Sequence, residues 1–293
     1  MTDVTAEQDT RERQLVDAVA ASFADTPDPR VKTVLTALVE HLHAFIREVR
    51  LTQEEWQAAI DFLTRAGHIT DDKRQEFILL SDVLGASMQT IIVNDDPTGR
   101  STEATVVGPF FVEDSPAVEL GGDIASGAPG EPCWVEGTVR DVDGRPLPGA
   151  QVEVWEADDH GFYDVQYRDD RTAARGHLVT DDAGRYRFWA LTPTPYPIPA
   201  DGPVGDLLAA TRRSPKRAPH LHFLVRHPGM RTLATHIFVA GDDAHADSVF
   251  GIRDSLVVDF TRSTREEPTP DGRVIDGPTW TRVSFDLVLA PGS

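Results

Sequence analysis

The hydrophobic positions in the first third of the chain recur at the spacing of an α-helix. Leu15, Val16, Val19 and Phe23 mark one amphipathic helix, and a wider apolar stripe follows over Val31–Val49. Both stripes have the spacings of three and four that place side chains on one helical face. The pattern therefore predicts two successive amphipathic helices, the second with an unusually wide apolar face.

Polar residues at the boundaries predict where these helices begin and end. Asp28 can cap the second helix, with Pro29 at the first helical position, where its missing N–H costs nothing. Thr52–Glu55 has the form of a capping box for a third helix, which is predicted to end near Gly67. A fourth helix is predicted from about Asp71 to Ile92.

From Gly108 onward the pattern changes to short alternating segments separated by Gly and Pro. Asp143-Gly144 and Asp181–Gly184 read as turns between strands. The segment Thr192–Arg217 is longer than a connection needs and is predicted to be a loop that carries function. The predicted strands are Cys133–Val139, Gln151–Trp155, Arg185–Trp189, His220–Arg226 and Thr235–Ala240.

This change of pattern predicts an α+β protein in two parts. Residues 1–103 form a helical domain, and residues 104–293 form a mainly antiparallel β-sandwich, since short strands at this spacing are typical of sandwiches. The wide stripe over Val31–Val49 exceeds what one small helical layer needs to bury. We therefore expect the helical domain to form the contact of a homodimer.

Composition narrows the class of partner. The formal net charge of −20 repels nucleic acids and anionic membrane surfaces, and no apolar run approaches the roughly 18 residues of a membrane span. Cys133 is the single cysteine, which excludes internal disulfides and cysteine metal sites. With no secretory signal pattern at Met1–Thr5, we expect a cytoplasmic protein.

The candidate chemistry centres on His220 and His222. Residues two apart on a strand point to the same face, so these imidazoles would lie side by side and could bind a metal. Two partly exposed histidines with no ligand are the alternative. Tyr163, just after a strand, and Tyr196, in a loop bracketed by prolines, are further donors, although loop tyrosines also serve simply to cover a core edge. Tyr186 alternates within a strand and is predicted to be a packing residue.

At this point the sequence resembles a known family, the intradiol ring-cleaving dioxygenases, over nearly its whole length. These are non-haem iron(III) enzymes that cleave catechols between the two hydroxyls. The resemblance rests on short motifs in a fixed order: Gly108–Phe111, Gly137–Trp155, Gly161–Tyr163, Thr180–Tyr186, Tyr196–Pro203 and Arg217–His222.

The resemblance implies Fe(3+) held by Tyr163, Tyr196, His220 and His222. It implies that the aromatic diol chelates the metal, that Tyr196 is displaced and acts as a base, and that Tyr163 stays bound. Arg217 matches the arginine of the family beside the substrate, where a fixed cation stabilises developing negative charge; a surface salt bridge is the alternative. The family also implies a homodimer formed through the helical domain, and a lipid occupies that domain in some members.

Several positions favour the branch that acts on hydroxyquinol, 1,2,4-trihydroxybenzene. His236 stands where catechol enzymes usually have glutamine. Asp82 shares a helical face with Leu79 and could accept a hydrogen bond from a third ring hydroxyl, or could equally cap or pair on the helix surface. The residues expected to line the pocket are Leu79, Asp82, Val107, Gly108, Pro109, Phe110, Ile198, Pro199, Arg217 and His236.

Three other functions compete with hydroxyquinol cleavage. The first is cleavage of catechol or a chlorocatechol by the same chemistry. The second is a non-catalytic binding module, because Gly137–Ala150 also resembles transthyretin-like sandwich repeats. The third is a zinc hydrolase, which needs an open zinc site with a general base.

Overall fold

The computed structural model describes residues 2–71, 74–169, 171–241 and 247–292, with side chains from residue 6 onward. The chain forms two compact units, Met1–Thr64 and Arg65–Ser293. The second unit contains every residue expected at the metal and substrate site.

The first unit is helical. It contains α1 (Thr2–Ala21), α2 (Pro29–Val49) and the start of α3 (Gln53–Ile69). The predicted caps are confirmed: the Asp28 carboxylate accepts from the N–H groups of Arg30 and Val31 at 2.7 and 3.1 Å. The backbone N–H of Thr52 donates to Glu55, while the N–H of Glu55 donates to the Thr52 hydroxyl. These caps satisfy N–H groups that the helix itself leaves unpaired.

After the end of α3, the second unit contains two short helices where the sequence predicted one. That prediction, a single helix over Asp71–Ile92, is wrong: α4 (Glu76–Val83) ends before Gly85, and α5 (Ala86–Asn94) starts after it. Gly85 has φ +74°, a left-handed conformation that a helix cannot contain and that glycine adopts at little cost. The break turns the chain beside Asp82.

The predicted loop over Thr192–Arg217 also contains regular structure. Its middle forms α6 (Pro203–Ala210), and its ends form two short paired strands, β5 (Tyr196–Pro197) and β6 (Lys216–Arg217). The buried Glu76 carboxylate on α4 accepts from the N–H of Val204 at 3.0 Å and so caps α6 from a distant part of the chain. No local pattern encodes that contact.

The remaining strands form two five-stranded sheets. The first has β1 (Pro132–Asp141) at its centre, and the second has the order β3-β2-β7-β8-β9. β1 pairs with β4 on one side and with β11 and β12 on the other; β10 lies beside β11. The other bounds are β2 (Gln151–Trp155), β3 (Arg175–Val179), β4 (Arg185–Leu191), β7 (His220–Arg226), β8 (Leu233–Val239), β9 (Val257–Val258), β10 (Thr261–Thr264), β11 (Thr279–Ser284) and β12 (Leu287–Leu289).

The two sheets share one hydrophobic core. Val135 and Phe188 of the first sheet belong to the same buried cluster as Val152, Leu221 and Phe223 of the second. Most strand pairs are antiparallel, with parallel pairs at β1–β11, β1–β12 and β8–β9. Helices followed by two packed sheets confirm the predicted α+β class.

Among the described residues, we find no single helix whose length and apolarity would let it cross a membrane. The bent pair α4–α5, with 73° between its two helices, reaches those limits by length and composition only.

Candidate metal centre

The strand β7 presents His220 and His222 on one face, as the alternation of a strand requires. The neighbouring strands complete the surroundings through their register. Trp155 of β2 and His236 of β8 are the residues paired with His222 on its two sides. All three histidines are at most 3% exposed.

Tyr163 reaches the same point from the end of β2. The Asp158 carboxylate accepts from the N–H groups of His160 and Phe162 at 2.9 and 3.0 Å, which fixes the turn that leads to Tyr163. Gly161 lies in that turn with φ +82°. A Cβ at this position would lie 2.6 Å from the Cβ of Tyr196, so the glycine is needed for the close approach of the two segments.

Tyr196 comes from β5, where it pairs with Arg217 of β6. The N–H of Ile198 donates to the carbonyl of Pro215 at 2.9 Å, which holds the strand in place. Tyr163 and Tyr196 are both buried, and their hydroxyl oxygens are 2.9 Å apart.

Four donor atoms therefore meet at one buried point. The Tyr163 oxygen lies 2.9 Å from the Nε2 of His222 and 3.4 Å from the Nε2 of His220. The Tyr196 oxygen is 3.4 Å from the Nε2 of His220, and the two Nε2 atoms are 3.1 Å apart. These separations match the spacing of neighbouring ligands around a metal, about 3.0 to 3.4 Å for bonds of about 2.1 Å.

The two histidines are oriented by different means. His220 donates from Nδ1 to the carbonyl of Ala218 at 2.6 Å, which leaves its Nε2 lone pair directed at the centre. His222 stacks on Trp155 with 4.6 Å between ring centroids, and its Nδ1 is buried without a hydrogen-bond partner. Both arrangements make a neutral imidazole available as a ligand.

Burial determines the protonation of the four side chains. Burial holds the pKa of His220 and of His222 well below the ordinary value, so both rings are neutral at pH 7. Burial raises the pKa of Tyr163 well above its usual range and raises that of Tyr196 as well. A metal ion would therefore have to displace the phenolic protons as it binds.

These residues fit a metal ion by geometry and by donor chemistry. Two phenolic oxygens and two imidazole nitrogens converge on one buried point. The ligand atoms of His220, His222 and His236 also lie within 4.8 Å of one another. Phenolate is a hard anionic donor and suits a trivalent ion.

His236, expected in the pocket, lies directly beside the centre. Its ring centroid is 4.1 Å from that of His222 and 4.8 Å from that of His220. Its Nδ1 lies 2.5 Å from the Thr105 hydroxyl, and its Nε2 is buried without a partner. Burial holds the pKa of His236 well below the ordinary value, so its ring is also neutral.

Arg217 is buried, so it does not form the surface salt bridge considered as an alternative. It is 4% exposed and donates from Nε to Asp247 at 2.6 Å. Its Nη2 is buried without a partner. Burial alone would lower the pKa of Arg217, but its interactions with Asp247, Tyr196 and Tyr163 raise it above the ordinary value, so the guanidinium stays protonated.

Asp82 is also buried, at 6% exposure, and its Oδ1 has no hydrogen-bond partner. Burial raises its pKa, while a hydrogen bond from Ser87 and the charge of Arg217 act in the opposite direction. Arg217 is therefore close enough for its charge to be felt at Asp82. The surface cap considered as an alternative does not describe a buried carboxyl group.

The remaining pocket candidates lie at varying depth around these groups. Phe110 stacks on Tyr163 at 4.5 Å, and a Cβ on Gly108 would lie 3.3 Å from the His222 ring. Ile198 is buried and Leu79 is half-buried one helical turn before Asp82. Val107, Pro109 and Pro199 are exposed, and their contact with a substrate stays a prediction.

Several supporting residues were not anticipated from the sequence. Asp247 holds Arg217, and Thr105 contacts His236. Arg175 donates to Asp164, next to Tyr163, and to the carbonyl of Phe110 at 2.9 Å. Each is a contact between distant segments, and only the position of Asp164 beside Tyr163 gave any signal in the sequence.

Comparisons with known proteins find relatives over nearly the whole chain. Residues 106–291 match the family model described as dioxygenase, and residues 28–102 match the one described as catechol dioxygenase N terminus. The chain is 67% identical to a hydroxyquinol 1,2-dioxygenase of Nocardioides simplex, with 99% of each chain covered. It is 61% identical to one of Rhodococcus opacus, over 99% of this chain and 97% of the relative.

A solved structure gives the same result at the level of the fold. The hydroxyquinol 1,2-dioxygenase of Pseudomonas putida DLL-E4 superimposes with a TM-score of 0.89 at 38% identity. The match covers 97% of this chain and all of that one.

Proposed function

The chain belongs to the intradiol ring-cleavage dioxygenase family, and from this premise we propose that it cleaves hydroxyquinol between its 1- and 2-hydroxyls with O2. The product is 3-hydroxy-cis,cis-muconate, the tautomer of maleylacetate. Both oxygen atoms of O2 enter the product, so the reaction needs no external reductant. The family match across both parts of the chain disfavours the transthyretin-like binding module.

The observation that carries this proposal is the meeting of four donor atoms from Tyr163, Tyr196, His220 and His222 within 2.9 to 3.4 Å of their neighbours. We propose iron(III) as the ion that they hold, because two phenolates favour a trivalent ion. When bound, it would supply a Lewis acid for the two substrate oxygens and an acceptor for electron density from the ring. Metal analysis separates this proposal from the zinc alternative.

The residues of the chain would share the remaining work. The Tyr196 oxygen, once released from the centre, can take a proton from a substrate hydroxyl, and burial raises the pKa of its phenol, which makes the phenolate a strong base. Tyr163, stacked under Phe110, would keep its place. The fixed cation of Arg217 would stabilise negative charge on the substrate, and the buried walls would exclude water.

The preference for a third hydroxyl would come from Asp82. Its Oδ1 is buried without a hydrogen-bond partner, and a third ring hydroxyl beside it would supply the missing donor. A hydrogen bond to such a group contributes about 1.5 to 3 kcal/mol if the carboxyl group is charged, or about 10- to 150-fold in kcat/KM. Catechol and 4-chlorocatechol lack this hydroxyl and would lose that contribution.

Oxygen uptake on the three substrates tests the proposal. We expect the highest kcat/KM on hydroxyquinol, and we expect Asp82→Ala to lower that value while leaving kcat/KM on catechol nearly unchanged. Catechol thus serves as the matched control within one variant. A higher kcat/KM of the wild-type enzyme on catechol or 4-chlorocatechol would favour the competing substrate.

We propose further that the first 103 residues form the contact of a homodimer. On α2, Val31, Val34, Leu38, Leu42, Phe45 and Val49 form an exposed apolar stripe. Monomeric proteins rarely leave so long a stripe in water. Leu38→Glu should yield monomers in light scattering, whereas Thr33→Glu, which adds the same charge away from the stripe, should not. A monomeric wild-type chain would contradict the proposal.

Two expectations from the sequence complete the proposal. A lipid in the helical domain would lie against the same apolar stripe, and mass spectrometry of organic extracts of the native protein would detect it. Cys133 is free and buried, which agrees with the expected cytoplasmic location. Cell fractionation tests that location.

A further inference from the structure

The buried pair of Arg217 and Asp247 has a feature that the proposed reaction does not yet explain. The Nε of Arg217 donates to the Oδ1 of Asp247 at 2.6 Å, and the two side chains are 5% and 1% exposed. The contact uses the inner nitrogen of the guanidinium. One outer nitrogen, Nη2, is left buried and without a partner.

Asp247 is itself held in place by the backbone. Its Oδ1 accepts from the N–H of Val249 and its Oδ2 from the N–H of Gly251, both at 3.3 Å. A Cβ on Gly251 would lie 3.4 Å from Oδ2 and 3.9 Å from the Nη2 of Arg217. The carboxylate therefore has little freedom to turn.

Arg217 lies next to the metal centre through the pairing of Tyr196 and Arg217 in the strands β5 and β6. A second carboxyl group, that of Asp82, lies near this pair, and its Oδ1 is buried and unpartnered. Arg213 donates to the carbonyl of Val83 at 2.6 Å and to that of Ser248 at 3.0 Å, so the chain segments that carry Asp82 and Asp247 meet at one side chain. Burial raises the pKa of Asp82, and the charges of Arg217 and Asp247 act on it in opposite directions, so all three groups lie within electrostatic reach. A long arginine side chain without a fixed partner would turn to the nearest free acceptor.

We propose that Asp247 is a positioning residue: it fixes the Arg217 guanidinium through Nε, so that Nη2 stays free for a substrate oxygen and the side chain does not pair with Asp82. This inference rests on the proposed function, in which Arg217 contacts the substrate. It assigns to Asp247 no contact with the substrate. Its effect on the reaction passes entirely through Arg217.

A double-mutant cycle tests this dependence. The variants are Asp247→Ala, Arg217→Ala and the double variant, with iron content, thermal stability and kcat/KM on hydroxyquinol measured for each. Removing one fixed donor of this kind lowers kcat by about 100- to 1000-fold. We expect Asp247→Ala to lower kcat/KM on hydroxyquinol by at least about tenfold. The double variant should lose no more than Arg217→Ala alone, because a positioning residue has nothing left to position. Multiplied losses would overturn the proposal.

Asp247→Asn provides the conservative comparison. An amide oxygen can still accept from the Nε of Arg217, so this variant should recover much of the loss seen in Asp247→Ala. Asp286→Asn is the matched control, since Asp286 pairs with Arg140 at the same 2.6 Å, but on an exposed part of the first sheet. The control should keep wild-type kcat/KM. Equal losses in Asp247→Asn and Asp247→Ala would contradict positioning through the hydrogen bond.

A crystal structure of an Asp247 variant separates this proposal from the proposed function. In Asp247→Ala we expect the Arg217 side chain to be displaced or disordered. In Asp247→Asn, whose amide oxygen still accepts from the Nε of Arg217, we expect the side chain to keep its place, and a displaced Arg217 in that variant would contradict positioning through this hydrogen bond. An unchanged Arg217 in Asp247→Ala would overturn the positioning role. Wild-type protein that fails to consume O2 with any of the three diols would instead overturn the proposed function, whatever Arg217 does in the variant.

Discussion

Replacing Gly161 by alanine tests how closely the segments that carry Tyr163 and Tyr196 must approach. Gly161 has φ +82°, and a Cβ there would lie 2.6 Å from the Cβ of Tyr196. Gly144 has the same φ of +82°, with no atom within 4 Å of the added Cβ. Gly144→Ala is therefore a matched control that carries the backbone strain without the clash.

The expected magnitudes follow from these two sites. The left-handed backbone costs an alanine roughly 1 to 2 kcal/mol, and both variants share that cost. Carbon atoms in contact prefer about 3.5 to 4.0 Å, so Gly161→Ala must move Tyr196 by about 1 Å. Overpacking of this kind costs a further 1 to 3 kcal/mol, about the difference expected between the variants.

Urea denaturation of both variants measures that difference. If the site holds iron(III) as proposed, the phenolate-to-iron charge-transfer band in the visible spectrum reports the position of the Tyr196 oxygen. Gly161→Ala should be less stable than Gly144→Ala and should have a weaker or shifted visible band, since the tyrosine oxygen moves relative to the histidines. Misplacement by 1 Å can cost about 100-fold in rate. Equal stability of the two variants with identical spectra would refute the proposed close approach.

Three further predictions address the tyrosines, the histidines and a helix cap. Tyr163→Phe should lose most of the visible band, and a full band in this variant would exclude Tyr163 as a ligand. Tyr186→Phe should keep the band, because the Tyr186 hydroxyl donates to the carbonyl of Phe285 and not to the centre. In the metal-free protein, burial holds the pKa of His220, His222 and His236 well below 6.5. The unfolded chain therefore binds protons below about pH 6.5 that the folded chain does not, so the free energy of unfolding should decrease as the pH is lowered, by up to about 1.4 kcal/mol per pH unit for each histidine. Urea titrations of the metal-free protein from pH 7.5 to 5 should show a weaker pH dependence of this free energy for His220→Gln than for the wild type. An equal pH dependence in the two proteins would contradict the prediction. Asp28→Ala should lower the free energy of unfolding by about 1 kcal/mol through loss of the α2 cap, while the control Asp25→Ala should change it by less than about 0.5 kcal/mol.

Features encoded by neighbouring residues were predicted well. The Asp28 cap and the Thr52–Glu55 capping box depend on residues two or three apart, and both are confirmed. The strand Gln151–Trp155 has the predicted bounds, and so does the strand His220–Arg226. The helix predicted over Asp71–Ile92 was wrong because the apolar periodicity outweighed the signal of one glycine, Gly85.

The site was predictable in part. The alternation of a strand was sufficient to place His220 and His222 side by side, but it could not bring Tyr163 and Tyr196 to them. That step depended on the resemblance to a family, since the tyrosines arrive from the end of β2 and from β5. Asp247 was out of reach because an ion pair across 30 residues leaves no periodic trace in the sequence.

The visible absorption spectrum of the purified wild-type protein, recorded with its metal content, tests the central claim most directly. Tyr163, Tyr196, His220 and His222 holding one iron(III) per chain should give a broad phenolate-to-iron charge-transfer band and a red to burgundy colour. Zinc, with its filled d shell, cannot produce such a band. A colourless, iron-free protein that cleaves hydroxyquinol at its full rate would contradict the account.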